Sequence, residues 1–147
     1  MSSTLSENAA TKFQSGYNCA QSVLHAACEQ LSLDHDTALK LSSGFGGGLD
    51  RKQQVCGAVA GGIIALSLKY GRGENDGPAQ TEIAYGKIRL LIERFQARQG
   101  SVICRELLGG CDLMTEEGKH LFKEKNLKQT TCACCVTSAA ALLEELL

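Results

Sequence analysis

The fold is decided by residues 55–70, which read VCGAVAGGIIALSLKY. The uncharged part of this stretch ends at Leu68 and is shorter than the roughly 20 residues that a membrane-spanning helix needs. It therefore predicts a helix buried inside the protein. Glycine costs about 1 kcal/mol relative to alanine within a helix. Gly57 and Gly61, four residues apart on one face, must then serve close approach, either of another helix or of a bound group.

Helical patterns extend outward from this stretch, and no sustained strand pattern is present. Asn18 is a predicted N-cap for a helix running to Leu31. Gly71 is the predicted C-terminal stop of the apolar helix, and Pro78 fits the first turn of a long amphipathic helix. We predict an all-α, single-domain bundle of about six to seven helices over residues 1–147, with the apolar helix that starts at Cys56 in its centre.

Composition and charge exclude several classes of function. The chain has 147 residues, 15 basic against 16 acidic, and a net charge of −1, so binding to nucleic acid is not expected. Its first residues, MSSTLSENAATKF, carry no pattern of a secretory signal. We therefore expect a cytoplasmic protein with no membrane span. A redox partner of unknown identity is expected, and a homodimer is compatible with the apolar surface.

Cysteine is the unusual component, with eight in the chain. In a reducing compartment, redox or metal-binding thiols are the more common use of such a set. Four of them lie at or near predicted helix starts: Cys19, Cys56, Cys104 and Cys132. The free N–H groups and partial positive charge of a helix N-terminus stabilise a thiolate. These four residues are therefore the predicted catalytic or metal-ligating set, with Gly57 and Gly61 as residues beside a bound group.

The chain resembles a family of redox-active proteins named after its cysteine pattern, C_GCAxxG_C_C. The matching segments are GYNCAQ at 16–21, GFGGG at 44–48, CGAVAG at 56–61, LSLKYG at 66–71, CRELLG at 104–109 and the segment that begins at Cys132. The resemblance implies a helical domain and assigns the family cysteines to Cys19, Cys56, Cys104 and Cys132. The chain is also similar to the cluster-bearing domain of split-Soret-type cytochromes, and this resemblance favours an iron–sulfur interpretation.

The remaining motifs give weaker indications. Residues 44–48 lack the Lys-Ser/Thr of a phosphate-binding loop, so we interpret residues 43–51 as a flexible or tightly turned segment that leads to Cys56. His25 and Cys28 are three residues apart, a spacing that suits a pair of metal ligands. A surface histidine with no ligand role explains His25 equally well. Cys132 and Cys135 have the spacing of a dithiol. The family pattern gives no role to the four extra cysteines, Cys28, Cys111, Cys134 and Cys135.

Three functions remain open from the sequence. The first is electron transfer or thiol–disulfide chemistry, an oxidoreductase activity with Cys56 as the best nucleophile. The second is a Cys₄ site for an iron–sulfur cluster or zinc, formed by the same four cysteines. The third is a helical adaptor, without cofactor, whose cysteines are inert.

Overall fold

The computed structural model describes residues 3–147 and confirms the all-α class. Its α-helices are α1 (Leu5–Gln14), α2 (Cys19–Ala26), α3 (Cys28–Leu31), α4 (His35–Ser42), α5 (Gly57–Tyr70), α6 (Pro78–Gln99), α7 (Cys104–Leu107), α8 (Glu116–Glu124) and α9 (Ala133–Leu146). A 3₁₀ turn, Ser43–Phe45, follows α4, and a π-helical turn, Lys128–Cys132, leads into α9. Within the described range, no helix is long and apolar enough to cross a membrane.

Helix α5 occupies the centre of the bundle, as its composition predicts. It packs against α2, α6 and α9, while α1 packs against α2 and α9. The core between them contains the fully buried side chains of Leu24, Leu66, Leu91, Phe95 and Leu143. Because α2 and α9 both contact α5, helices that lie far apart in the sequence meet at its N-terminal end.

Several predicted helix ends are confirmed. Asn18 caps α2 by accepting a bond from the Gln21 N–H, and the Gln21 side-chain oxygen accepts a bond from the Asn18 N–H in return. Pro78 is the first residue of α6. Gly71 does end α5, but its φ of −65° is not left-handed. A side chain there would collide with the Ser67 carbonyl, so lack of space, and not backbone conformation, explains that glycine.

The structure has nine α-helices among residues 3–147, more than the six to seven predicted. One reason is that the helix predicted to run to Leu31 breaks at Ala27 into α2 and α3. A second difference concerns Cys132, which is not at a free helix start. It closes the π-helical turn with helical backbone angles and continues directly into α9.

The glycine-rich segment is a hydrogen-bonded left-handed turn. Five consecutive residues, 47–51, have φ between +49° and +72°. The turn is closed by bonds from the Gln53 N–H to the Gly47 carbonyl (2.9 Å) and from the Gln54 N–H to the Gly48 carbonyl (3.0 Å). Three of the five residues are not glycine, and each such residue costs roughly 1–2 kcal/mol. Of the two sequence interpretations, the tightly turned one is therefore the one observed.

Candidate functional site

Cys19 is positioned by the cap of α2. It is the first residue of that helix, directly after Asn18. The Asn18 side chain also donates to the Ser43 carbonyl at 3.0 Å. Gly46 lies so close that a Cβ there would be 2.5 Å from the Asn18 side chain. The glycine-rich turn and the start of α2 are therefore held against each other, with Cys19 at their junction.

Cys56 and Cys104 are brought together by a short antiparallel bridge between Val55 and Ile103. The Cys56 N–H donates to the Val102 carbonyl (2.7 Å), and the Cys104 N–H donates to the Gln54 carbonyl (2.6 Å). Since side chains alternate along extended backbone, the two cysteines lie on the same face of the bridge. Each then begins a helix, Cys56 as the N-cap residue of α5 and Cys104 as the first residue of α7.

The remaining sulfurs come from the C-terminal helical segment. Cys132 ends the π-helical turn, and Cys135 lies one turn further on, in α9. Cys132 and Cys135 do not have their strongest side-chain interaction with each other. The dominant side-chain interaction of Cys132 is with Cys19, and that of Cys135 is with Cys56.

The sulfur-bearing residues line one large cavity of about 1140 Å³. Its lining includes all four cysteines selected from the sequence together with a fifth: Cys19, Cys56, Cys104, Cys132 and Cys135. Cys56, Cys104 and Cys135 are buried, whereas Cys19 and Cys132 are half-buried. The protein thus gathers thiols from four helical segments and leaves space beside them for a second molecule.

The Cys19–Cys132 pair is chemically unequal. The hydrogen bond to Cys132 raises the pKa of Cys19 well above its usual value, and burial and neighbouring thiolates raise it further. The same bond lowers the pKa of Cys132, and the Lys128 ammonium also lowers it. Within this pair Cys132 is therefore the more acidic thiol and Cys19 the less acidic one.

The Cys56–Cys135 pair repeats this arrangement. The Cys135 thiol lowers the pKa of Cys56, and the backbone N–H groups of Ala58 and Val59 in the first turn of α5 lower it as well. Burial opposes these effects. The pKa of Cys135 is raised, mainly by its bond to Cys56 and then by burial. Cys56 is therefore the more acidic thiol of the second pair.

Cys104 differs from the more acidic thiol of each pair. Burial, followed by the charges of Cys56 and Cys132, raises its pKa to about 12, and Arg105 only partly opposes them. It stays protonated at neutral pH. The influence of two other sulfurs on its titration also shows that Cys104 is within electrostatic reach of both pairs.

Three other cysteines, Cys28, Cys111 and Cys134, do not line the cavity. The Cys28 thiol, at the start of α3, donates to the Leu24 carbonyl of the preceding helix α2 at 3.9 Å. The Cys111 thiol donates to the Gly118 carbonyl at 3.0 Å. Cys134 is exposed to solvent. Cys135 alone among the extra cysteines joins the cavity. Its position one helical turn after Cys132 was the available signal, because residues three apart share a helix face.

The glycines beside Cys56 serve mainly helix packing. A Cβ on Gly61 would be 2.6 Å from the Ala20 carbonyl oxygen, so the group that approaches Gly61 is the backbone of α2 and not a bound molecule. Gly57 does line the cavity, and a Cβ there would be 2.9 Å from the Phe45 carbonyl and 3.3 Å from the Cys19 Cβ. Its absent side chain lets Cys19 sit against the start of α5.

The cysteines do not form a ready site for one metal ion. Within residues 3–147, no three or more His, Cys, Asp or Glu side chains are grouped as ligands of a single ion. A tetrahedral zinc site requires sulfurs about 2.3 Å from the metal. In the part of the chain that the structure describes, the sulfurs are not grouped in that way.

The fold and the site define a class of protein, a helical bundle with thiols from distant segments gathered at one cavity. The family described as "Putative redox-active protein (C_GCAxxG_C_C)" matches residues 17–146. The chain belongs to this family, as the resemblance predicted. A protein of Archaeoglobus fulgidus, described as "Uncharacterized protein", is 30% identical over 114 residues, which cover 73% of this chain and 76% of that protein. No solved structure matches the chain.

Proposed function

We propose that the protein carries out thiol–disulfide exchange, with Cys56 and Cys132 as attacking thiolates and Cys135 and Cys19 as their respective resolving thiols. The observation that supports this proposal is the presence of two unequal thiol pairs beside one cavity. Exchange requires a thiolate to attack and a second thiol to displace the product. Each pair supplies both groups.

The reaction at Cys56 balances with a disulfide substrate. The Cys56 thiolate attacks one sulfur of a disulfide R–S–S–R, forms a mixed disulfide Cys56–S–S–R and releases R–S⁻. Cys135 then loses its proton to solvent or to the released thiolate and attacks the Cys56 sulfur. A Cys56–Cys135 disulfide forms and the second R–S⁻ leaves. The substrate is reduced by two electrons, and the protein dithiol is oxidised by two. The Cys132–Cys19 pair supports the same sequence.

Trapping of the mixed disulfide tests this assignment. The fully reduced protein is treated with 5,5′-dithiobis(2-nitrobenzoate), quenched with acid, and analysed by peptide mass spectrometry. We expect Cys56–Cys135 and Cys19–Cys132 disulfides in the wild-type protein. The Cys135→Ser variant should instead accumulate the mixed disulfide at Cys56.

Cys134→Ser is the matched control, because Cys134 is the exposed neighbour of Cys135 and lies outside the cavity lining. It should resolve the Cys56 adduct as the wild type does. Circular dichroism checks that both variants are folded. Absence of any adduct or disulfide at Cys56 would contradict the exchange function, and equal resolution in Cys135→Ser would remove Cys135 from it.

A second candidate function is the holding of an iron–sulfur cluster by Cys19, Cys56, Cys104 and Cys132. The observation that favours it is the raised pKa of Cys104, to which the charges of Cys56 and Cys132 contribute. A bound cation would offset this repulsion and allow Cys104 to lose its proton. A cluster would supply one-electron transfer at this cavity.

Anaerobic reconstitution with ferrous iron and sulfide separates the two candidates. If the cluster is held there, the protein gains visible absorbance and stoichiometric iron, and Cys104→Ser loses both while Cys134→Ser retains them. A colourless, iron-free protein after reconstitution would exclude this candidate and leave thiol–disulfide exchange.

A further inference from the structure

Three cationic side chains from different segments surround the cavity that contains the thiols. They are Arg51 in the left-handed turn, Lys123 in α8 and Lys128 in the π-helical turn. Among the described residues, none of the three is in an ion pair with a carboxylate. A fourth cation, Lys119, is paired with Glu116 at 3.3 Å. The cavity therefore has three unpaired cations on a chain whose net charge is −1.

Arg51 is placed at the cavity by an unusual backbone. Its φ is +60°, and its N–H donates to the Gly46 carbonyl at 3.3 Å. Non-glycine residues in this conformation are costly and tend to occur where function maintains them. The alternative explanation, a turn needed only to connect α4 to α5, does not require an arginine at this position.

Lys128 lies within electrostatic reach of the sulfurs. Its ammonium lowers the pKa of Cys132, and it also stands over the Phe13 ring, 5.5 Å from the ring centroid. Two carboxylates, Asp50 and Glu116, line the same cavity, but Glu116 is occupied by Lys119. Apart from the reacting thiols, the unpaired charge of the described cavity residues is thus positive, because the three cations outnumber the one unpaired carboxylate, Asp50.

We infer that the cavity selects small disulfides that carry negative charge, such as carboxylate-bearing disulfides of low-molecular-weight thiols. This inference rests on the proposed thiol–disulfide exchange and specifies its substrate class. A cavity of about 1140 Å³ accommodates a molecule of that size. Arg51, Lys123 and Lys128 would bind the carboxylates while a disulfide sulfur reaches Cys56 or Cys132. Cations of this kind raise the local concentration of an anionic substrate and its rate of association.

The test compares three probe disulfides on the reduced protein: dianionic 5,5′-dithiobis(2-nitrobenzoate), neutral 2,2′-dithiodipyridine and dicationic cystamine. Each rate is divided by the rate of the same probe with a small reference thiol at the same pH, which removes differences in intrinsic reactivity. We expect the normalised rate at the protein to be highest for the anionic probe, by about tenfold over the cationic one at low salt. The preference should shrink as salt shortens the screening length.

The variant for this test is the triple substitution Arg51→Gln, Lys123→Gln and Lys128→Gln. Its matched control is Lys40→Gln, which removes an exposed lysine that pairs with Asp36 and is absent from the cavity lining. The triple variant should lose the anionic preference, measured as the ratio of the normalised rates of the anionic and cationic probes. Loss of the Lys128 ammonium also makes Cys132 less acidic, but this slows all three probes alike and cancels in the ratio. Lys40→Gln should leave the ratio unchanged.

The outcomes are distinguishable. Equal normalised rates for all three probes, or an anionic preference that survives the triple substitution, would overturn the inference and leave the exchange function intact. Failure of every probe to react at Cys56 and Cys132 would remove the exchange function and the inference with it. Circular dichroism confirms that the triple variant is folded before rates are compared.

Discussion

Substitution of Gly61 by alanine tests the contact that places Cys19 beside α5. A Cβ on Gly61 would lie 2.6 Å from the Ala20 carbonyl oxygen and 3.2 Å from the Ala20 Cα. Both are backbone atoms of α2, so no side-chain rotation relieves the overlap. The ordinary separation is about 3.5 Å. Helix α2, which begins at Cys19, must therefore move away from α5 by several tenths of an ångström.

The magnitude follows from two opposing effects. Alanine is more favourable than glycine in a helix by about 1 kcal/mol, and overpacking of a tight core costs about 1–3 kcal/mol. Gly86 in α6 supplies the matched control, because a Cβ there would have no neighbour within 4 Å. Gly86→Ala should stabilise the protein by about 1 kcal/mol. Gly61→Ala should then be less stable than Gly86→Ala by about 1–3 kcal/mol.

Urea unfolding of both variants, followed by circular dichroism, measures this difference. Thermal unfolding should show the same order. A chain of this size shifts by about 2–4 °C per kcal/mol, so the melting temperatures of the two variants should differ by about 2–12 °C. The yield of the Cys19–Cys132 disulfide should also fall in Gly61→Ala, because α2 carries Cys19. Equal stability of the two alanine variants would refute the reasoning, since helix propensity alone would then account for both.

Three further predictions concern the supports of the site. The buried Gln53 side chain donates to the Cys111 carbonyl (2.5 Å) and accepts from the Leu113 N–H (2.7 Å). Gln53→Ala should lower the free energy of unfolding in urea by about 2–4 kcal/mol, because both backbone groups lose their partner. A loss below about 1 kcal/mol would contradict this. Asn18→Ala removes the α2 cap and should cost about 1 kcal/mol, whereas Asn18→Asp keeps the cap but loses the bond to the Ser43 carbonyl and should recover only part of that stability. The pKa of Cys104 is raised to about 12 in the folded protein, above roughly 8.5 in an unfolded chain. The folded state therefore favours the neutral thiol. The stability that this preference contributes is fully present below about pH 8.5 and is lost as the pH rises toward 12. The wild type should therefore lose stability more steeply than Cys104→Ala between pH 8 and 10, and parallel profiles would disprove the assignment.

The sequence predicted those parts of the fold that depend on local patterns. The apolar run at 55–70 identified the central helix, and the Asn18 cap and Pro78 marked helix starts that the structure confirms. The grouping of Cys19, Cys56, Cys104 and Cys132 as one candidate set also came from the sequence. For the helix and its starts, the residue type constrains the backbone within one or two turns, so no distant contact was needed.

The remaining features depend on contacts between distant residues. The bridge between Val55 and Ile103 is a single pair without a strand pattern on either side. The partner of Cys135 is Cys56, in another helix, and the C-x-x-C spacing pointed to Cys132 instead. A helical continuation through Cys132 stands where a helix start was predicted, because the π-helical turn satisfies backbone groups that a helix start would leave free. Spacing along the chain does not determine these choices.

The separation of Cys56 from its partner in α9 has a consequence for biosynthesis. When the chain leaves the ribosome, α2 and α5 emerge long before α9, which begins at Ala133. During that interval the Cys56 sulfur has no Cys135 to receive a disulfide, and Cys19 has no Cys132. An oxidant that reaches the nascent chain then joins Cys19, Cys28 or Cys56 to one another and blocks the docking of α9. Production of active protein should therefore depend on a reducing environment until α9 has been synthesised and packed against α5.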